Sequence, residues 1–239
     1  MNPAHPVLSG QTIERISAGW ASELQVPLAA FAGENRSIVP REDLRVVISL
    51  LLQNSTVVVC PPILEPILSN LSNDELLDIV TLTNILKSFD PKPIGTANIS
   101  YADHNTLVTR AGIVKAHQSG LDEISNILNE CSDLEQLESG LGTMPFHFSV
   151  VSPSGESVSL SGYEDWNDEI AQLGVLTIPQ ERGRGFGFIV ASAAAFASLE
   201  HNLIPQWRSR VDNIPSKQLG LQLGFHQLGM QLALEVSIS

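Results

Sequence analysis

The chain has 239 residues, 43% hydrophobic and 16% charged, so it is long enough for two cores and too apolar for wholesale disorder. Its formal net charge of −13 argues against general nucleic-acid binding. Cys60 and Cys131 are too few for a disulfide framework and read as buried thiols of a reducing compartment, with a single disulfide left open.

Met1-Asn-Pro-Ala-His-Pro6 has neither a basic start nor an apolar core, so no secretory leader is expected. Residues 1–40 read as a loose lead-in with one short helix near Gln11–Gln25. Pro40 followed by Glu42-Asp43 predicts a helix over Arg41–Leu52. The β-branched run Val57-Val-Val-Cys60, stopped by Pro61-Pro62, predicts a strand. Ile63–Leu71 is predicted helical. Asn73-Asp74-Glu75 caps a further helix through Ser88, with Leu76, Ile79, Leu82, Ile85 and Leu86 apolar. Ala97–Tyr101 is a strand candidate. The most apolar region, Leu44–Leu68, is interrupted by polar residues and prolines, so no membrane span is expected and the chain reads as cytoplasmic. This first stretch carries no motif tied to chemistry. A small α/β unit, a lid and a dimerisation surface are its three readings, the last leaving a homodimer open. His104 is a loop histidine open to a ligand, base or bystander role.

Thr106–Ile113 is a strand candidate. Gly120–Cys131 is predicted helical, with Leu121, Ile124, Leu128 and Cys131 along one side; Asp133–Leu141 continues as a second helix ending at Gly142. Phe146–Val151 and Ser157–Tyr163 form a hairpin around Ser152-Pro-Ser-Gly-Glu156. Glu164-Asp-Trp-Asn-Asp-Glu169 is an acidic tip leading into the strand Ala171–Ile178. Then comes Pro179-Gln-Glu-Arg-Gly-Arg-Gly-Phe-Gly-Phe188, with glycines at 183, 185 and 187, and an alanine-rich helix over Ile189–Leu199. Ile204–Arg208 is extended, Ser216–Leu223 is a short helix closed by Gly224, and Met230–Ile238 alternates as a last strand.

A strand, a glycine loop and a helix start make an anion site. Glycine lets backbone approach a phosphate, and first-turn N–H groups with the helix dipole favour negative charge. Arg182 and Arg184 add cations. Residues 179–239 carry five Lys/Arg against four Asp/Glu, so the loop lies in the least acidic part of the chain. A Walker A loop fails because no lysine follows the glycines. A dinucleotide fingerprint fails because the third glycine falls one place early and the preceding strands are hairpin-linked.

Arg182-Gly-Arg-Gly185-Phe-Gly187 resembles the Arg/Gln-x-x-Gly-x-Gly/Ala signature of the GCN5-related N-acetyltransferase (GNAT) superfamily. Thr177-Ile-Pro179 resembles the strand ahead of that signature. Asn213-Ile-Pro-Ser-Lys-Gln-Leu219 with Leu223-Gly-Phe225 and Gly229 resembles the family's closing helix and strand. The resemblance covers residues 106–239 and is strongest over 171–229. It implies an α/β (α+β) fold, a mixed and mostly antiparallel sheet flanked by helices, in a domain over 106–239 preceded by an N-terminal α/β extension over 1–105.

The resemblance further implies an N-acetyltransferase that moves an acetyl group from acetyl-CoA to an amine by direct attack, with no metal. Gly183, Arg184, Gly185, Phe186, Gly187 and Phe188 would hold the pyrophosphate on backbone N–H groups, with Arg182 opening the signature. Val175, Leu176 and Thr177 would pair with the pantetheine arm, and Asn213 would touch it. The family's usual acid is a tyrosine at the place that Gly220 holds here, so Ser216 or a water is the substitute candidate. Base candidates are Glu164, Asp165, Asp168 and Glu169, while Trp207 is an acyl-pocket wall or core and Arg208 a substrate, cofactor or intramolecular anion partner. The alternative function is an acyl-CoA-binding sensor or structural module without turnover.

Overall fold

The computed structural model describes residues 7–108 and 115–238. The predicted strand Thr106–Ile113 therefore lies largely outside the described residues, as does the segment Met1–Pro6. The elements begin with α1 (Gly10–Leu24), β1 (Arg36–Pro40), β2 (Val46–Leu52), β3 (Ser55–Cys60), α2 (Glu65–Leu68), α3 (Asn73–Leu76), α4 (Ile79–Ile85) and β4 (Lys92–Tyr101). They continue with β5 (His117–Gln118), α5 (Leu121–Asn129), α6 (Asp133–Ser139), β6 (Phe146–Val151), β7 (Ser157–Trp166) and β8 (Ile170–Thr177). Last come α7 (Phe186–Glu200), β9 (Ile204–Arg210), α8 (Ile214–Gln222) and β10 (His226–Glu235). The fold is mixed α/β with mostly antiparallel strand pairing and helices on the sheet faces. No helix among the described residues is long and apolar enough to cross a membrane.

Two compact units share the chain. The first takes residues up to Ile16, Tyr101–Trp207 and Pro215–His226; the second takes Ser17–Ser100, Arg208–Ile214 and residues from Gln227 on.

In the first unit the strand order is β9-β8-β7-β6-β5, antiparallel except for the parallel pair β8–β9. α7 is apolar almost all round, the pattern of a helix buried on more than one side, and only its last residue, Glu200, is exposed. Ala191, Ala194 and Ala195 pack against Tyr163, Ala171 and Leu173. Small residues on the facing strand, Ser159 and Ser161, are buried with their hydroxyls donated to the Leu176 and Gly174 carbonyls. The opposite face carries Ile127, Cys131, Leu141, Met144, Leu160 and Leu176. Here the predicted stripe of α5 needs correction. Leu121 is 82% exposed, and the inward set is Ile124, Ile127, Leu128 and Cys131, an i, i+3, i+4, i+7 series starting one turn later. α6 stops at Ser139 because Gly140 turns left-handed, which frees Leu141 to enter the core. The cross-strand pair Gly162–Gly174 lies beneath that chain reversal. A Cβ on Gly174 would stand 2.1 Å from the Ser139 carbonyl oxygen.

In the second unit the order is β1-β3-β2-β10-β4, with β1–β3 parallel and β3–β2 and β2–β10 antiparallel. Its core joins Val47, Val58 and Leu232 to Leu64, Leu68, Leu76, Leu82 and Leu86. The predicted helix over Arg41–Leu52 is instead β2. A strand paired on both edges and covered on both faces reads as a continuous apolar run, and Val46-Val-Ile-Ser-Leu-Leu-Leu52 is one. The predicted helix Asn73–Ser88 is two. Ser72 caps α3 in a capping box with Glu75, and the Asp78 carboxylate takes the Thr81 N–H to start α4. β10 starts at His226, earlier than the predicted Met230, since Gly229 admits the Leu51 carbonyl where a Cβ would sit at 2.2 Å. Both cysteines are free and buried, and burial raises the Cys60 thiol to about 11.

Candidate functional site

The first unit contains a fork between two parallel strands. β8 runs from Ile170 to Thr177, but it pairs with β9 only at Ile170–Ile204, Ala171–Pro205 and Gln172–Gln206. Its pairing with β7 continues to Thr177. Backbone direction alternates along a strand. The Ile204 N–H donates to the Glu169 carbonyl, so odd-numbered residues face β9; the Ile178 N–H donates to the Val158 carbonyl, so even-numbered residues face β7. Beyond Gln172 the backbone groups of Val175 and the N–H of Thr177 therefore point into the gap left by β9. Leu176 directs its backbone to β7.

The wide end of the fork meets the glycine loop. Gly183 and Gly185 have φ of +74° and +87°, left-handed values that disfavour side chains, and nothing lies within 4 Å of where their Cβ atoms would be. Gly185 is the N-cap of α7 and brings no side chain to its first-turn N–H groups. At Gly187 the backbone lies close to β8 and α8, with the Thr177 hydroxyl 3.3 Å and Leu219 3.4 Å from the Cβ position. Arg182 folds back, its Nε donating to the Thr177 carbonyl at 3.0 Å and its guanidinium pairing with Glu135 on α6 at 2.7 Å. Arg184 pairs with Glu181 at 2.6 Å and stands over the Phe186 ring. Asn213 belongs to the second unit and is exposed before α8, its N–H donating to Arg210. Arg208 also lies in the second unit.

At the narrow end, Glu164, Gln172 and Gln206 form one row across β7, β8 and β9, the last row before the strands part. Directly opposite residues project to the same face, so Glu164 stands beside Gln172. The other acidic candidates are placed elsewhere. Asp165 is exposed and accepts the Asp168 N–H, Asp168 sits in the turn with φ of +59°, and Glu169 is bound by Arg15 at 2.7 Å. Tyr101, Gln172 and Gln206 were not singled out by the sequence. Gln206 is fully buried, its Nε2 donating to Gln172 Oε1 at 2.7 Å while Tyr101 donates its hydroxyl to Gln206 Oε1. The only signal was an amide inside each of two predicted extended segments.

Gly220, the position where the resemblance expects a tyrosine, is closed by a neighbouring side chain. A Cβ on Gly220 would stand 3.0 Å from Cδ1 of Trp207 and 3.2 Å from its Nε1. The indole fills that space, packs on Phe225 and donates to both the carbonyl and the hydroxyl oxygen of Ser216 at 3.1 Å. The chain's two tyrosines are engaged elsewhere, Tyr101 with Gln206 and Tyr163 with His201 Nδ1 at 2.6 Å. Burial, with the Asp165 charge, pushes the Tyr163 phenol up. His104 is an exposed turn residue. His117 meets both Glu123 and Ser149 through the same nitrogen, Nε2, at 3.0 and 3.2 Å. A hydrolytic relay needs the two partners on opposite ring nitrogens, so this cluster is not one. No group of three metal-ligating side chains occurs among the described residues.

Many solved structures similar to this chain are named as GCN5-related or GNAT-family acetyltransferases. One is a GNAT-family acetyltransferase from Novosphingobium aromaticivorans, 18% identical over 62% of this chain and 68% of that one, with a TM-score of 0.46. A GCN5-related N-acetyltransferase-like protein from Streptococcus suis is 13% identical over 82% of this chain and 85% of that one, with a TM-score of 0.48. A GCN5-related N-acetyltransferase from Kribbella flavida is 13% identical over 66% of this chain and 64% of that one, with a TM-score of 0.49. The chain thus spans less than two thirds of the Kribbella protein. No family model and no curated protein matches the chain.

Proposed function

We propose that the chain is a GNAT-type N-acetyltransferase that moves an acetyl group from acetyl-CoA to an amine by direct attack in a ternary complex. The observation that carries this reading is the fork: a strand edge with unpaired backbone groups that leads from an uncapped helix start to a polar row. The open space at Gly183 and Gly185 fits a pyrophosphate held on backbone N–H groups. Val175 and Thr177 would pair with the pantetheine amides as an added strand does, and a backbone N–H on that edge would stabilise charge developing on the thioester oxygen. Arg182 and Arg184 would act by exchanging a carboxylate partner for phosphate, since each now pairs with a glutamate.

Glu164 is the base that the geometry favours, because it alone of the acidic tip stands in the row at the fork's apex. It would take the amine's proton directly or through water. The leaving thiolate needs little help, a thiol having a pKa of about 8.5. Ser216 would serve as donor, its oxygen polarised by the Trp207 N–H.

A second reading is an acyl-CoA-binding module without turnover, and the indole over Gly220 favours it. Thiol release from acetyl-CoA with a panel of amines separates the two. Amine-dependent release that falls about 100-fold in Glu164→Gln, with CoA affinity unchanged, supports catalysis. Tight binding with no release for any amine supports the module. Absence of CoA binding overturns both.

A further inference from the structure

We infer that the hydrogen-bonded pair Gln172–Gln206, oriented by Tyr101, limits the acyl group accepted by the fork to about the size of acetyl. This rests on the reading of the fork as a CoA site.

The direction of a bound thioester follows from the chain. The phosphate loop is joined to the Thr177 end of β8, and the unpaired edge runs from Thr177 through Val175 toward Gln172. An arm anchored on the loop therefore points its thioester at the apex. Any acyl carbon beyond the carbonyl meets the Gln172–Gln206 row.

That row is closed on both faces. On one face the hydrogen bonds run in a single direction. Gln206 accepts the Tyr101 hydroxyl on its Oε1. Its Nε2 then donates to Gln172 Oε1 at 2.7 Å, and Gln172 Nε2 donates to its own strand at the Leu173 carbonyl, 3.1 Å away. Tyr101 and Gln206 are fully buried, so spreading the row to admit a longer chain leaves a buried polar group without its partner. On the other face, Trp207 is held between Gly220 and Phe225 with its N–H on Ser216. Both walls are thus packed and hydrogen-bonded, which makes the apex a fixed stop.

The test is calorimetric titration of CoA, acetyl-CoA, butanoyl-CoA and hexanoyl-CoA into the full chain, its Gln172→Ala variant and its Tyr101→Phe variant. Gln172 is partly exposed, so its truncation leaves the apolar core in place and lets water reach the Gln206 Nε2 that it uncovers. The unaltered chain is expected to bind hexanoyl-CoA at least about tenfold more weakly than acetyl-CoA. Gln172→Ala is expected to bring that ratio to within about threefold while CoA itself binds as before. Tyr101→Phe, which keeps the ring and removes the donor, is expected to narrow the ratio part of the way. Equal binding of the two thioesters by the unaltered chain overturns the inference and leaves the CoA reading intact. So does a ratio that Gln172→Ala leaves unchanged. Absence of CoA binding overturns both.

Discussion

At the Thr177 end of β8 two glycines, Gly183 and Gly185, stand in open space, while Gly174 and Gly220 toward the Gln172 end are hemmed in. Gly183 and Gly185 adopt left-handed φ with no atom near the Cβ position. Gly174 lies against the Ser139 carbonyl, and Gly220 against the Trp207 ring. The first pair leaves backbone uncovered. The second pair serves close packing within the protein. The same residue type thus marks open backbone at one end of a strand and a sealed wall at the other. Only the packing around each glycine tells which.

The comparison breaks most visibly at Gly174. Gly174→Ala forces its methyl group into backbone and is expected to cost about 3 kcal/mol, read as a lowered urea midpoint. A midpoint unmoved by the methyl group would mean that the Ser139 reversal is loose and the two ends of β8 differ less than described. Gly185→Asp brings a carboxylate to the α7 start. It is expected to weaken CoA binding by about 100-fold, measured by calorimetry, and to cost about 1 kcal/mol of stability, because the left-handed φ of +87° strains any side chain although the space there is empty. Unchanged affinity would remove the loop from the site. Gly220→Ala meets a ring edge at 3.0 Å, which can shift slightly, and about 1 kcal/mol is expected. Combining it with Trp207→Phe should recover part of that loss in a double-mutant cycle, whereas strict additivity would deny the contact.

The smallest effect lies outside the fork, at Glu123. Burial raises its pKa, but hydrogen bonds from the Ser157 hydroxyl and the Gly120 N–H, together with His117, outweigh that and hold it at about 2. A carboxylate depressed on folding contributes stability that is present above its unfolded pKa and lost as pH falls toward about 2. Glu123→Gln should flatten that acid limb by less than about 1 kcal/mol, seen in urea midpoints between pH 5 and pH 2.5. An unaltered limb would show that these hydrogen bonds add nothing to folding.

What the residues disclosed follows the same division. The open turn at Gly183 and Gly185 was legible because glycines in that spacing signal positive φ and exposed backbone. The hairpin β6–β7 was legible from a Pro/Gly turn between two alternating runs. β2 was not, because a strand buried on both faces loses the alternation that distinguishes it from a helix. The apex row was invisible for a related reason. Glutamine reads as a surface residue, and its burial at Gln206 depends on Tyr101, a partner distant in the chain. Trp207 and Gly220 each stand out singly in the sequence, but their contact is a fact of packing. It makes Gly220 a filled position, with the Trp207 ring where a side chain would stand.

The pairing of β10 with β2 has a consequence for how the protein is made. Val46–Leu52 is synthesised well before its partner Gly229–Glu235. Until then β2 has one edge without its neighbour, and closing the intervening stretch is a non-local, slow event. A nascent chain at this stage exposes an apolar strand edge to its neighbours on the polysome, a known route to aggregation. The protein should therefore depend on chaperones during synthesis more than its compact units require once complete.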